Sequence, residues 1–350
     1  MKITLTLLCF IAIANFFSAN TTGFARADDD ATAHSDIATS DPALTPATSW
    51  RIAVVSDIHV YNDAHTKPEF TRLVAKLVER RPRVLVITGD STSGNLTDHF
   101  GLTRARLWWN EVRRQIAPLQ KAGVLVFPVA GNHDYYRKPH QRAYEEAAKA
   151  ILEANAGAPK AAGNPPLNYS VDIDGVHLTL LHIVDQVVDN AQLRWLAEDL
   201  KNSKSGLKLA FGHVPLESVM GHTNRKFRQE YGQAFAEGGA TAYIAGHEHL
   251  VWDQQLEFEG YKLRQITVGC SSGAYTFPIR PDVYAAHCKR LTCRLPYSNL
   301  SIKLASPVTR LQKDEVSFFE LEVTGDSYEA HPFTLSPEGN IVPFGVEKND

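Results

Sequence analysis

From Trp50 onward the chain alternates short runs of consecutive apolar residues with longer segments in which apolar residues recur at helical spacing. A strand buried on both faces needs the first pattern and a helix packed along one stripe needs the second, so the alternation predicts an α/β architecture. Pro68 to Arg81 is the clearest helix. Phe70, Leu73, Val74, Leu77 and Val78 fall on one face, Thr66 and Glu69 have the spacing of a capping box, and Pro82 ends the segment. Helical spacing also predicts helices over 103–117, 139–155 and 191–204, the last with Leu193, Leu196 and Leu200 on one face and Gly206 beyond its end. Continuous apolar runs occupy 51–55, 84–88, 124–130, 207–211 and 242–245, and a strand pattern returns from Val316 to Val323.

The segments outside this alternation set the domain limits. Residues 1–27 read as a signal peptide: Lys2 supplies the early charge, an apolar run extends from Ile3 to Phe17, and Ala25-Arg26-Ala27 offers a small-x-small cleavage site. The competing reading is an uncleaved anchor, but the run is shorter than the roughly 20 residues that span a bilayer. Residues 28–49 are a polar linker, 50–335 the folded domain, and 336–350 a polar tail. Within the domain, about 274–312 lacks periodicity and reads as a surface excursion. The expected product is an exported chain with no membrane segment after cleavage. Export would place Cys270, Cys288 and Cys293 in an oxidising compartment, where a Cys288–Cys293 disulfide with Cys270 left over is the simplest arrangement and three buried thiols the alternative.

The 350 residues carry a formal charge of −3, and 44% are hydrophobic. That supplies a large core and gives no basic surplus of the kind that marks nucleic-acid binders. Specificity must come from a local site, and the five apolar runs indicate where. Each run ends in metal-ligand residue types: Asp57-Ile58-His59, Gly89-Asp90, Gly131-Asn132-His133-Asp134, Gly212-His213 and Gly246-His247-Glu248-His249. Strands of one sheet that run in the same direction would place all these turns at one rim, where open α/β sheets bind ligands. A glycine before the first candidate in four of the five permits the close backbone approach that crowded polar side chains need. Singly, an Asp-x-His or a Gly-Asp at a strand end is ordinary turn chemistry. The ordered set of five is far more specific.

These five motifs, with Pro215 following His213, resemble the signature of the calcineurin-like metallophosphoesterases over about residues 50–270, with a weaker echo to 325. The resemblance implies a four-layer αββα sandwich of two mixed sheets with a binuclear metal site at the strand ends. It assigns Asp57, His59, Asp90 and His249 to one ion and Asp90, Asn132, His213 and His247 to the other, bridged by Asp90. Mixed imidazole and oxygen ligation suits Fe, Mn, Zn or Ni rather than Mg or Ca. A metal-bridging hydroxide would then attack a small phosphate ester, diester or monoester, with His133 as general acid and Asp134 orienting its ring. Purple acid phosphatases carry a Tyr where this chain has Ser93, so the chain looks closer to the phosphodiesterase-like and small-phosphatase branches. The alternative function is a non-catalytic metal-binding scaffold on the same fold, but such proteins usually lose ligands that are retained here. Tyr135, Tyr136, His99, His222 and Arg225 are possible pocket residues for which surface or packing roles are the simpler reading. His177 and His182 read as structural histidines.

Overall fold

The computed structural model describes residues 49–60, 64–97, 99, 101–218, 223–273 and 316–344. The segments expected to be a signal peptide and a surface excursion, nearly all of the expected linker, Cys288, Cys293 and His222 lie outside them. The five apolar runs form strands β1 (Trp50–Val55), β2 (Val84–Thr88), β3 (Leu125–Val129), β7 (Leu207–Phe211) and β8 (Ala242–Ala245). Between β3 and β7 come β4 (Ala162–Asn164), β5 (Asn168–Ile173) and β6 (Val176–Leu180). After β8 come β9 (Trp252–Phe258), β10 (Tyr261–Thr267), β11 (Ser317–Thr324), β12 (Ser327–Leu335) and β13 (Ile341–Pro343). The helices are α1 (Pro68–Arg80), α2 (Leu102–Lys121), α3 (Asn132–Tyr135), α4 (Lys138–Glu153), α5 (Asn190–Asn202) and α6 (Arg225–Glu237).

The strands form two mixed sheets, in the orders β13-β12-β11-β1-β2-β3 and β4-β5-β6-β7-β8-β10-β9. Side chains that alternate along each strand build the layers. Ile52 and Val54 of β1 and Val84 and Val86 of β2 meet Leu178, Leu180, Leu209 and Ile244 of the second sheet in a core between the sheets. Ala53, Val55, Leu85 and Ile87 point the other way, into a core with α1, α2 and α4. The outer face of the second sheet packs on α5 and α6 through Leu196, Leu200, Phe227, Tyr231 and Phe235. The result is the four-layer αββα sandwich of two mixed sheets. The five motif-bearing strands do not share one sheet: β1, β2 and β3 lie in the first and β7 and β8 in the second.

Three local expectations are corrected and one helix is added. Thr66 and Glu69 form no capping box: the N-cap is Lys67, without a side-chain cap, and Thr66 donates through its N–H and hydroxyl to Glu111 of α2. Pro68 accounts for this, because a proline at the first helical position removes one orphan N–H and presets φ. Helix α2 continues through Pro118 to Lys121. Helix α6 was not foreseen, its Phe227-Tyr231-Phe235 spacing being interrupted by Gly232, which lies against the Phe258 ring where a Cβ would collide. The expected polar tail adds β13, which pairs with β12 and is followed by buried Phe344.

His177 shows how strand parity also aims polar groups. Its neighbours Val176 and Leu178 face the inner core, so its ring lies on the outer face beside α5. There Nδ1 is 2.8 Å from Asp172 Oδ1 and Nε2 is 2.9 Å from Asp199 Oδ2, which also accepts from Thr179 Oγ1, while Ser170 Oγ donates to Asp199 Oδ1. Burial lowers the His177 pKa, but the hydrogen bonds and charges of Asp199 and Asp172 outweigh it and raise the value above the usual range. A raised folded-state pKa gives stability that is fully present below the unfolded value of about 6.5 and is lost as pH rises through the folded value. His177→Gln is therefore expected to cost about 1–3 kcal/mol in urea unfolding at pH 6 and less at pH 9. An equal cost at both would show that the ring is not the proton-carrying link.

Candidate metal centre

Strands β1, β2 and β3 run parallel, as do β7 and β8 in the other sheet, so their C-terminal turns emerge at one rim and meet across the sandwich. The His247 N–H donates to Asp57 Oδ2 (3.0 Å), and His213 Nδ1 lies 2.8 Å from the Thr88 carbonyl. The approach is tight enough to need glycine. Gly89 has φ +97°, and a Cβ there would lie 2.5 Å from His213 Nδ1 and 2.8 Å from the Gly131 backbone. At Gly131 a Cβ would run into the Asp90 side chain. Five site residues adopt left-handed backbone conformations: Asp57 (54°), His59 (50°), Asp90 (48°), His247 (73°) and His249 (53°). Non-glycine residues rarely do so, and such clusters mark sites that the surrounding fold over-determines.

Two groups of ligand-type atoms result, one from Asp57, His59, Asp90 and His249 and one from Asp90, His213 and His247. In the first, the Nε2 atoms of His59 and His249 face each other at 3.0 Å, and Asp57 Oδ1 lies 3.2 Å from the His249 nitrogen and 3.8 Å from that of His59. That oxygen is buried and accepts no hydrogen bond among the described residues. In the second, Asp90 Oδ2 is 3.2 Å from His213 Nε2, and Asn132 Oδ1 is 2.9 Å from both His213 Nε2 and His247 Nδ1. Asp90 faces both groups through Oδ2, 4.0 Å from His59 Nε2, while its Oδ1 is held by the His133 N–H at 2.8 Å. Ligand bonds of about 2.0–2.2 Å place neighbouring donors about 3–3.5 Å apart, so these separations suit cations.

The proton inventory leads to the same conclusion. The Thr88 carbonyl only accepts, so the His213 proton lies on Nδ1, and the Nε2 lone pair turns toward Asp90 Oδ2 and Asn132 Oδ1. Three acceptors then converge with no proton among them, and a positive charge is required. Burial lowers the pKa of His213, but the charge and hydrogen bond of Asp90 override this and raise it to about 9, so in the bare protein a proton meets the need. Burial, reinforced by neighbouring imidazoles, holds His59 and His247 at about 4, neutral with lone pairs available. Burial opposes ionisation of Asp90, yet the charge and hydrogen bond of His213 hold its carboxyl well below the usual range.

His133 sits at the lip of this cluster, with Nε2 3.9 Å from Asp90 Oδ2 and Nδ1 2.5 Å from the Gly94 carbonyl. Asp134 does not orient that ring, contrary to expectation. Its oxygens accept from the N–H groups of Gly131, Ser91 and Thr92 and from Thr92 Oγ1, so it ties the β3 turn to the β2 turn. Burial and the Asp90 charge raise its pKa to about 6 against those donors. Among the possible pocket residues, Tyr136 is half-buried and hydrogen-bonded to Asn132, Tyr135 donates to Glu145, and His99 and Arg225 are exposed. The Thr88 and Gly94 carbonyls escape sequence reading because the backbone has no residue code.

The sequence profile of calcineurin-like phosphoesterases matches residues 51–251, a span that holds all five motifs. No curated protein matches the chain by sequence. Among solved structures, a purple acid phosphatase from yellow lupin (Lupinus luteus) seeds superposes with a TM-score of 0.56 at 13% identity, over 85% of this chain and 53% of that one. This chain thus spans about half the length of the lupin protein. PhoD superposes with a TM-score of 0.53 at 12% identity, over 85% of this chain and 69% of that one. At these identities the likeness is one of fold.

The crowding at Gly89 can be measured. Gly123 has a similar φ of +87° but open space where a Cβ would go. Gly89→Ala is therefore expected to destabilise the protein by about 1–3 kcal/mol more than Gly123→Ala in denaturant titrations. Equal losses would mean that packing against His213 and Gly131 carries no energy.

Proposed function

Because the chain belongs to the calcineurin-like phosphoesterase family, we propose that its Asp/His cluster holds two transition-metal ions and that the protein, once exported, hydrolyses a small phosphate ester. The two groups of buried Asp, Asn and His donor atoms carry the reading: their separations suit cations, and at Asp90 Oδ2 and Asn132 Oδ1 an ion would take the place of the proton that His213 Nε2 holds in the bare protein. Asp57, His59, Asp90 and His249 would hold one ion, and Asp90, Asn132, His213 and His247 the other, with Asp90 common to both. Imidazole with oxygen favours Fe, Mn, Zn or Ni. When bound, such ions supply Lewis-acid charge to the phosphoryl oxygens and acidify water.

The chain's own residues orient and move protons. The Thr88 carbonyl keeps the His213 proton on Nδ1 and so aims Nε2 inward. The Gly94 carbonyl fixes His133 in the same way, leaving Nε2 toward the centre. As an imidazolium, His133 would hand its Nε2 proton to the leaving oxygen while Gly94 holds the other N–H. Asp134 would serve by holding the β2 and β3 turns together rather than by transferring protons. The charged start, apolar run and Ala25-Arg26-Ala27 support export with a mature start near Asp28. None of the described helices is long and apolar enough to cross a membrane.

Two outcomes follow. The exported protein is expected to begin near Asp28 and to hold close to two ions by elemental analysis, and Asp90→Ala to lose most of both. A wild-type protein without metal, and without metal-dependent turnover, would sink the assignment. His133→Ala is expected to keep its metal and its fold but to lose about 10²–10⁴-fold in turnover of an alkyl phosphate ester. The loss should be smaller on nitrophenyl esters, whose leaving group departs without a proton. Equal losses on both would mean that His133 binds the phosphoryl group instead.

A further inference from the structure

The short turn α3 does more than deliver Asn132 and His133. It continues in helical conformation to its C-cap Tyr136 (φ −56°, ψ −35°), so Asn132 and Tyr136 stand four residues apart on one face. Asn132 Nδ2 donates to the Tyr136 hydroxyl at 2.5 Å, while Oδ1 of the same amide lies 2.9 Å from His213 Nε2 and from His247 Nδ1. The two ends of the amide have opposite chemistry. A cation is attracted to the carbonyl oxygen and repelled by the NH2, so ligation by Asn132 requires the NH2 to point away and to find an acceptor there. Asn132 is buried, and water cannot be relied on for that acceptor. The Tyr136 hydroxyl stands at that place.

We infer that Tyr136 is a positioning residue for the ion held by Asn132, His213 and His247, acting through the Asn132 amide. The inference rests on the two-metal reading above. Tyr136 has a second contact that a merely structural role would use: its ring packs edge-on against His133, with centroids 5.2 Å apart. Tyr136→Phe separates the two, because it keeps the ring and removes only the hydroxyl.

In the Tyr136 account the effect is confined to one ion. The imidazoles that meet the Asn132 amide oxygen are those of His213 and His247, so the ion held by Asp57, His59 and His249 should be bound as before. Outer partners of metal ligands change affinity by about 10–100-fold when removed, and that is the size expected for the other ion. The deficit should also be reversible, since an ion forced on by mass action finds all its direct ligands present.

The test is calorimetric titration of metal-stripped, full-length mature protein with Mn²⁺, for wild type, Tyr136→Phe and Tyr136→Leu. Wild type should show two binding steps. Tyr136→Phe should weaken one step at least about tenfold and leave the other, with the melting temperature of the stripped protein unchanged and kcat restored by excess Mn²⁺. Tyr136→Leu should weaken the same step to the same extent. Two unchanged steps in Tyr136→Phe would overturn the inference. So would a fall in both steps together with a lower melting temperature, or a kcat deficit that persists at saturating Mn²⁺. A wild-type protein that binds no Mn²⁺ would instead remove the two-metal reading and leave Tyr136 as a packing residue.

Discussion

Two buried carboxylates facing a ring of imidazole lone pairs are unstable unless positive charge stands among them, and the architecture is organised around that requirement. Asp57 and Asp90 are both almost fully buried. Isolated buried anions would take up protons, but here His213 and its neighbours hold Asp90 ionised against the cost of burial. The cluster thus keeps its acceptors as acceptors. A backbone carbonyl takes part: by accepting the outward N–H of His213, Thr88 turns Nε2 inward toward Asp90 and Asn132.

Holding this arrangement costs conformational energy. Five non-glycine residues in left-handed conformations carry about 1–3 kcal/mol of strain each, a sum comparable with the net stability of about 5–15 kcal/mol of an ordinary domain. The two sheets bear it. The core between them, from Ile52 and Val54 on one side to Leu209 and Ile244 on the other, fixes the separation of the strand ends. The turns therefore strain because they cannot retreat. Asp134 adds a local restraint by joining the β3 turn to the β2 turn through three donors of Ser91 and Thr92.

Much of this was legible from the chain alone because both controlling patterns are local. Apolar runs such as Val84 to Thr88 announce buried strands, and the polar residues that follow announce the rim. The division of the five runs between two sheets runs against the expectation of a single sheet and could not be read from periodicity, since a strand covered on both faces has the same sequence in either sheet. Side-chain partners were least legible. Adjacency suggested that Asp134 served His133, whereas it accepts from Ser91 and Thr92, some forty positions earlier, and from the Gly131 N–H. Thr66 and Glu69 matched a cap at the level of spacing, but Glu111 competed for Thr66. Phe227, Tyr231 and Phe235 hid a helix because Gly232 interrupted it, for a reason that lies in the Phe258 ring of another element.

The position of β1 has a bearing on the order of assembly. It lies between β2, which follows it closely in the chain, and β11, whose Val323 pairs with Trp50. A ribosome delivers β1 among the first parts of the domain and β11 among the last. Until then the strand that leads into Asp57 has one open hydrogen-bonding edge, a template for mispairing with other chains. Contacts of such high sequence separation also slow folding, because loop closure must precede their reward. The strand that leads into the first motif to be synthesised therefore gains its second neighbour only when the C-terminal strands arrive.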